Sequence, residues 1–199
     1  MRRVSLTAVF SALIVTSAAL YAQGQYSRRD ADSLERKLAT ITQNAAFRTR
    51  QSTRATSISE RELNAYLRYG SMIEMPAGVL EPSVTILGDG RVAGRAIVDL
   101  DAVRKARERG WGDPAGYLTG RLPVQAVGVL KTQNGVGRFY LESADVSGIT
   151  VPRVVLQEIV TYYTRTPEAP NGVSLDAPFE LPAGIREVQV AKGTATVVQ

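Results

Sequence analysis

The chain has 199 residues, 44% hydrophobic and 22% charged, with a formal net charge of +5; this suits one folded domain and excludes wholesale disorder. It contains no Cys and no His, which removes disulfides, thiol chemistry, the Ser-His-Asp triad and the usual zinc ligand together. Its basic residues are spread out, with no dense run interleaved with aromatics, which argues against nucleic acid and leaves only weak attraction to anionic lipid headgroups.

Residues 1–22 read as an export segment. Arg2 and Arg3 precede an apolar stretch from Val4 to about Val15, and small residues follow from Thr16 to Ala22. Cleavage after Ala18, Ala19 or Ala22 fits this pattern, although Leu20 suits the last site poorly; an uncleaved membrane anchor is the alternative. Either outcome places the protein outside the cytoplasm, in a periplasmic or extracytoplasmic setting. Arg28 to Phe47 carries Leu34, Leu38, Ile41 and Ala45 at helical spacing without Gly or Pro. This predicts an amphipathic helix, either a stalk or a helix docked on the domain. Arg48 to Thr56 reads as a polar linker, so residues 23–55 precede a single domain at 56–199.

Within Ile58 to Leu67, Ser59 and Glu62 have the spacing of a capping box, and Ile58 and Leu63 that of a hydrophobic staple. Leu63, Tyr66 and Leu67 are then the expected buried edge. Glu81–Leu87 and Arg91–Leu100 flank Gly88-Asp89-Gly90 and predict a hairpin. In the second strand the small residues Gly94 and Ala96 leave room above the sheet. Asp101 is the expected N-cap of a short charged helix from Ala102 to Arg109, which makes a metal role for Asp99 and Asp101 the weaker reading. The loop from Gly110 to Gly120 holds Trp111 and Tyr117, placed to close a cavity mouth, touch a membrane interface, or plug the core. Two long strands, Arg121–Lys131 and Val136–Val146, meet at Asn134-Gly135, a strong hairpin signal. Ala126 and Gly128 again leave small side chains in the first of them.

Val151 to Arg165 is the most strongly patterned helix. At about 100° per residue, Val155, Leu156, Ile159, Val160, Tyr162 and Tyr163 share an arc of roughly 160°, wider than the apolar stripe an ordinary surface helix needs. A trough wrapping part-way round this helix is the expectation. An extended segment from Val173 to Leu181 and a last hairpin, Ile185–Ala191 with Thr194–Val198, complete the order. The fold class is α+β, an antiparallel sheet built from hairpins and curved around one long apolar helix.

The export segment, ISERELNAYL, the DGRVAGRAIVDLD hairpin, the Gly-Ile-Thr-Val-Pro lead into the apolar helix, and the tail FELPAGIREVQVAKGTATV together resemble exported bacterial proteins of the YpmS type. More distantly, the chain is similar to LmeA-type phospholipid-binding proteins and the tubular lipid-binding (TULIP-like) architecture. The resemblance spans roughly 56–199 and implies lipid binding; it brings no catalytic motif.

Two functions stay open. One is an envelope protein that holds a lipid or other amphiphile between sheet and helix, lined by Gly94, Ala96, Ala126, Gly128, Val155, Ile159, Tyr162 and Tyr163, with Trp111 and Tyr117 at the mouth. The other is an envelope scaffolding or interaction domain in which the same residues form a filled core. A membrane surface is the expected partner in either case, and no cofactor or metal is expected. Catalysis would need paired carboxylates, for which Asp99, Asp101, Glu142 and Asp145 are the candidates, or a Ser-Lys dyad. No lysine stands in a Ser-x-x-Lys context, and the chain reads as a non-enzyme.

Overall fold

The computed structural model describes residues 26–46, 53–71, 75–105, 119–165 and 170–199. The expected export segment, part of the expected linker, and the loop with Trp111 and Tyr117 lie outside the described residues.

Helix α1 (Arg28–Ala46) begins with Ser27 and Asp30 bonding each other's backbone N–H groups at 3.1 and 3.2 Å. Ser-x-x-Asp is a capping pattern. Of the two placements open to this helix, the structure adopts the docked one: Ala31, Leu34 and Ile41 are buried. Strand β1 (Ala55–Ser59) runs directly into α2 (Glu60–Tyr69). The expected capping box is formed, with the Ser59 hydroxyl accepting from the Glu62 N–H and the Glu62 carboxylate accepting from the Ser59 N–H. The buried residues of α2 are Asn64, Ala65 and Tyr66, with Leu63 packed beside them and Leu67 only half-buried.

Strands β2 (Val79–Gly88) and β3 (Arg91–Asp99) pair about Asp89-Gly90, and β4 (Arg121–Gln133) and β5 (Val136–Val146) about Asn134-Gly135. Both residues of each turn have positive φ: 52° and 77°, then 52° and 83°. This is the geometry that Asp-Gly and Asn-Gly tolerate and that matches strand twist. Helix α3 (Leu100–Lys105) follows β3, and the Ala102 N–H donates to the Asp99 carboxylate at 3.0 Å. Asp99, not the expected Asp101, therefore caps α3, because the helix begins at Leu100, two residues earlier than the charge pattern suggested. After β5 come β6 (Ile149–Thr150), α4 (Arg153–Thr164), β7 (Phe179–Glu180), β8 (Glu187–Ala191) and β9 (Thr194–Val198).

The architecture is α+β and antiparallel, as expected, but it holds two sheets. One has the order β1-β9-β8; the other runs β2-β3-β4-β5-β6, with β7 also pairing β5. The core lies where α1 and α2 meet the three-stranded sheet: Leu34, Ile41, Ile58, Tyr66 and Val197 are buried together, with Leu38, Leu63, Ile185 and Val188 against them. Full burial of one such side chain contributes about 1.5–3 kcal/mol.

The sheets are joined through their edges. The Gly90 N–H donates to Val190, the Gly135 N–H to Arg186, and the Gly193 N–H to Ile86, while the Thr132 hydroxyl exchanges bonds with the backbone of Val188 at 2.8 and 3.1 Å. The hairpin tips of the large sheet thus satisfy backbone groups along β8.

Helix α4 departs from expectation. No described residue in it is buried, and Val155, a member of the expected apolar arc, is 47% exposed; Val154, which lies off that arc, is 75% exposed. It flanks β5, where Arg153 donates to the Leu141 carbonyl and the Val151 N–H to the Ala144 carbonyl. Among the described residues, then, no sheet encloses this helix. The connection is the reason: the short β6 and Pro152 turn the chain along the β5 edge, and the 172–176 segment, not a strand, packs on α4 through Gln157, which bonds Val173 and Leu175.

Candidate functional site

Strand register decides which small residues meet. Val84 pairs with Gly94, Gly94 with Ala126, and Ala126 with Ala144, so one row crosses four strands on one face. The adjacent row is Ala96, Val124 and Val146. Apart from Ala144, these residues are only half-buried. A Cβ added at Gly94 would find no heavy atom within 4 Å. The room expected above Gly94 is therefore present.

Gly128 differs. It pairs with Val92 on the same face, and the Phe139 ring occupies the space a side chain would need, 2.4 Å from an added Cβ; the Tyr140 carbonyl lies at 2.6 Å. Its small size serves close packing, so Gly128 does not border open space.

On α4, Ile159 and Tyr162 are half-buried beside exposed Val155. Ile149, in β6, is 71% exposed, so an apolar corner precedes the helix. Trp111, Tyr117 and the Tyr163 side chain lie outside the described residues.

The reverse face of the large sheet is charged. Arg95, Gln125 and Asp145 form one row across it. With Glu81, Ile97 and Pro123 they border a cleft of about 380 Å³, which Ala96 and Val124 also line. Ala96 thus sits between an apolar face and a polar cleft. A second cleft, of about 590 Å³, lies near the β4–β5 tip between Lys131, Arg138, Tyr140 and Glu187.

The candidate carboxylates are engaged in local structure. Asp99 meets Arg121 at 3.0 Å; the Ala102 N–H first, and then Arg121, hold its carboxyl below the usual range. Asp101 accepts from the Gly120 N–H and meets Arg104 at 3.5 Å. Glu142 meets Arg91 at 2.9 Å, and Asp145 accepts from the Gly148 N–H at 2.7 Å. Among the described residues no group of three or more acids forms a metal-binding cluster.

The strongest polar constellation was not anticipated as a unit. Glu62 accepts from Lys37 at 2.7 and 2.8 Å, from the Ser33 hydroxyl at 2.7 Å, and from Ser59. Burial pushes its carboxyl up, but Lys37, Ser59 and Ser33 outweigh this and bring it down to about 2. This network clamps α1 onto α2. A capping box at 59–62 was legible, but the reach of Lys37 across 25 residues was not.

No family model, no curated protein and no solved structure matches the chain. Among the described residues no helix is long and apolar enough to cross a membrane.

Proposed function

We propose that the protein is an exported, envelope-associated binding protein that holds an apolar or amphipathic ligand, a lipid in the first instance, against the large sheet beside α4. The observation that supports this reading is the half-buried face of Val84, Gly94, Ala96, Val124 and Ala126, with open space above Gly94. Neighbouring Ile149, Val154 and Val155 present further apolar surface. Contiguous exposed apolar surface marks ligand, partner or membrane contact, and an acyl chain laid along small side chains would remove it from water. On this reading the ligand occupies an open face, not a closed tunnel.

The second reading is an envelope interaction domain that takes no ligand. The filled core beneath α1, with Leu34 at 2% and Ile41 at 3% exposure, favours it, because the fold's stability needs no occupant on the large sheet. Native mass spectrometry of protein purified from its own membrane fraction, together with uptake of a fluorescent fatty acid, separates the two. Co-purifying amphiphile and saturable uptake support the binding protein; absence of both leaves the interaction domain.

A further inference from the structure

We propose that the cleft at the β4–β5 hairpin tip binds a phosphate group. Lys131 and Arg138 are directly opposed cross-strand partners, so their side chains emerge side by side on one face. Like charges so placed repel. On this face Arg91 is neutralised by Glu142 at 2.9 Å and Arg121 by Asp99 at 3.0 Å, whereas Arg95 stands opposite the uncharged Gln125 and so faces no like charge across the strands. Neither Lys131 nor Arg138 has a carboxylate within ion-pair distance among the described residues, although Glu187 lines the same cleft. An oxyanion between the two would relieve the repulsion and accept the paired N–H groups of the guanidinium.

The surroundings suit an organic phosphate. The cleft, of about 590 Å³, also takes in Gln133, a further side-chain donor, and has Val136 and Tyr140 on its wall, 43% and 41% exposed. The Lys131 ammonium stands 5.3 Å from the centroid of the Tyr140 ring, which fixes its direction at little entropic cost. The tip itself is held in place: Thr132 bonds Val188, and the Gly135 N–H bonds Arg186. By strand alternation this cleft lies on the face opposite Gly94 and Ala126, so it does not rest on the apolar-ligand reading.

Inorganic phosphate titrated into the full chain at constant ionic strength, followed by amide NMR, tests the site. Saturable shifts at Lys131, Thr132 and Arg138, absent with chloride and lost in the Lys131→Gln/Arg138→Gln double variant, are expected. A Lys105→Gln/Lys192→Gln double variant, which removes equal charge elsewhere, should bind as the wild type does. Glu187→Gln removes a repelling carboxylate and should tighten binding by about fivefold. Equal responses in both double variants, or no saturable response, overturn the proposal. Co-sedimentation then identifies the source: binding to phosphatidylglycerol but not phosphatidylcholine vesicles, lost in Lys131→Gln/Arg138→Gln, assigns a lipid headgroup, and phosphate binding without sedimentation assigns a soluble phosphate ester.

Discussion

The carboxamide of Asn64 grips the backbone of Val84 from both sides, accepting from its N–H at 2.8 Å and donating to its carbonyl at 2.7 Å. In effect, one side chain on α2 does the work of a neighbouring strand for the outer edge of β2. Glu60, one turn earlier, accepts from the Ile86 N–H at 2.7 Å, so the edge is closed to other chains over these residues.

Replacing Asn64 by Leu should therefore cost about 1–3 kcal/mol, the penalty of leaving paired backbone groups without partners. Urea denaturation would measure it. The same variant should associate more readily through the freed edge, seen as a concentration-dependent species in sedimentation velocity. A loss under 0.5 kcal/mol would show that water replaces the amide without penalty.

Acid should loosen the α1–α2 clamp. The Glu62 carboxyl is lowered from its ordinary 4.5 to about 2, so its stabilising contribution is complete above about 4.5 and lost as pH falls through about 2. The contribution is about 1–2 kcal/mol once solvent screening is allowed for. Glu62→Gln should be less stable at pH 7 and show a flatter pH dependence between 4.5 and 2, read from urea midpoints at each pH.

Two glycines on one sheet face should respond oppositely. Gly128→Ala drives a methyl group into the Phe139 ring and the Tyr140 carbonyl and should cost about 1–3 kcal/mol by overpacking. Gly94→Ala meets nothing within 4 Å and should be neutral or slightly stabilising, since the unfolded chain loses freedom. Gly94→Leu should leave stability within about 0.5 kcal/mol and reduce fatty-acid uptake.

The two long helices should also separate in their energetics. Leu34→Ala, at a residue only 2% exposed, should cost about 2–5 kcal/mol. Val154→Ser, at 75% exposure, should cost less than about 0.5 kcal/mol. Val154→Ser/Val155→Ser should nevertheless weaken fatty-acid uptake or membrane association. Unchanged uptake would remove α4 from the ligand surface.

These contrasts show what local reading could reach. The Ser59–Glu62 box and the hairpins at Asp89-Gly90 and Asn134-Gly135 were legible because each depends on groups within a few residues. β1 has no local signature, since only Ile58 among its five residues is strongly apolar and its partner β9 lies about 140 residues away in register. Asn64 carries no local signal of its role, as nothing within α2 announces that its partner is Val84. Of the expected ligand liners, Gly94, Ala96 and Ala126 were brought together by the register of β3 and β4, whereas Gly128 was filled by Phe139.

By itself, then, the sequence determined the α+β class, the helix start at Ser59 and the sharp turns, because capping and φ preference are local. Only the tertiary structure decided which apolar helix is central. α1 and α4 each carry an apolar stripe, and a stripe states that a surface seeks cover without stating what lies opposite. The pairing of β1 with β9 provides that cover for Leu34 and Ile41, while the turn at Ser147-Gly148 and the short β6 leave Val155 of the α4 stripe exposed.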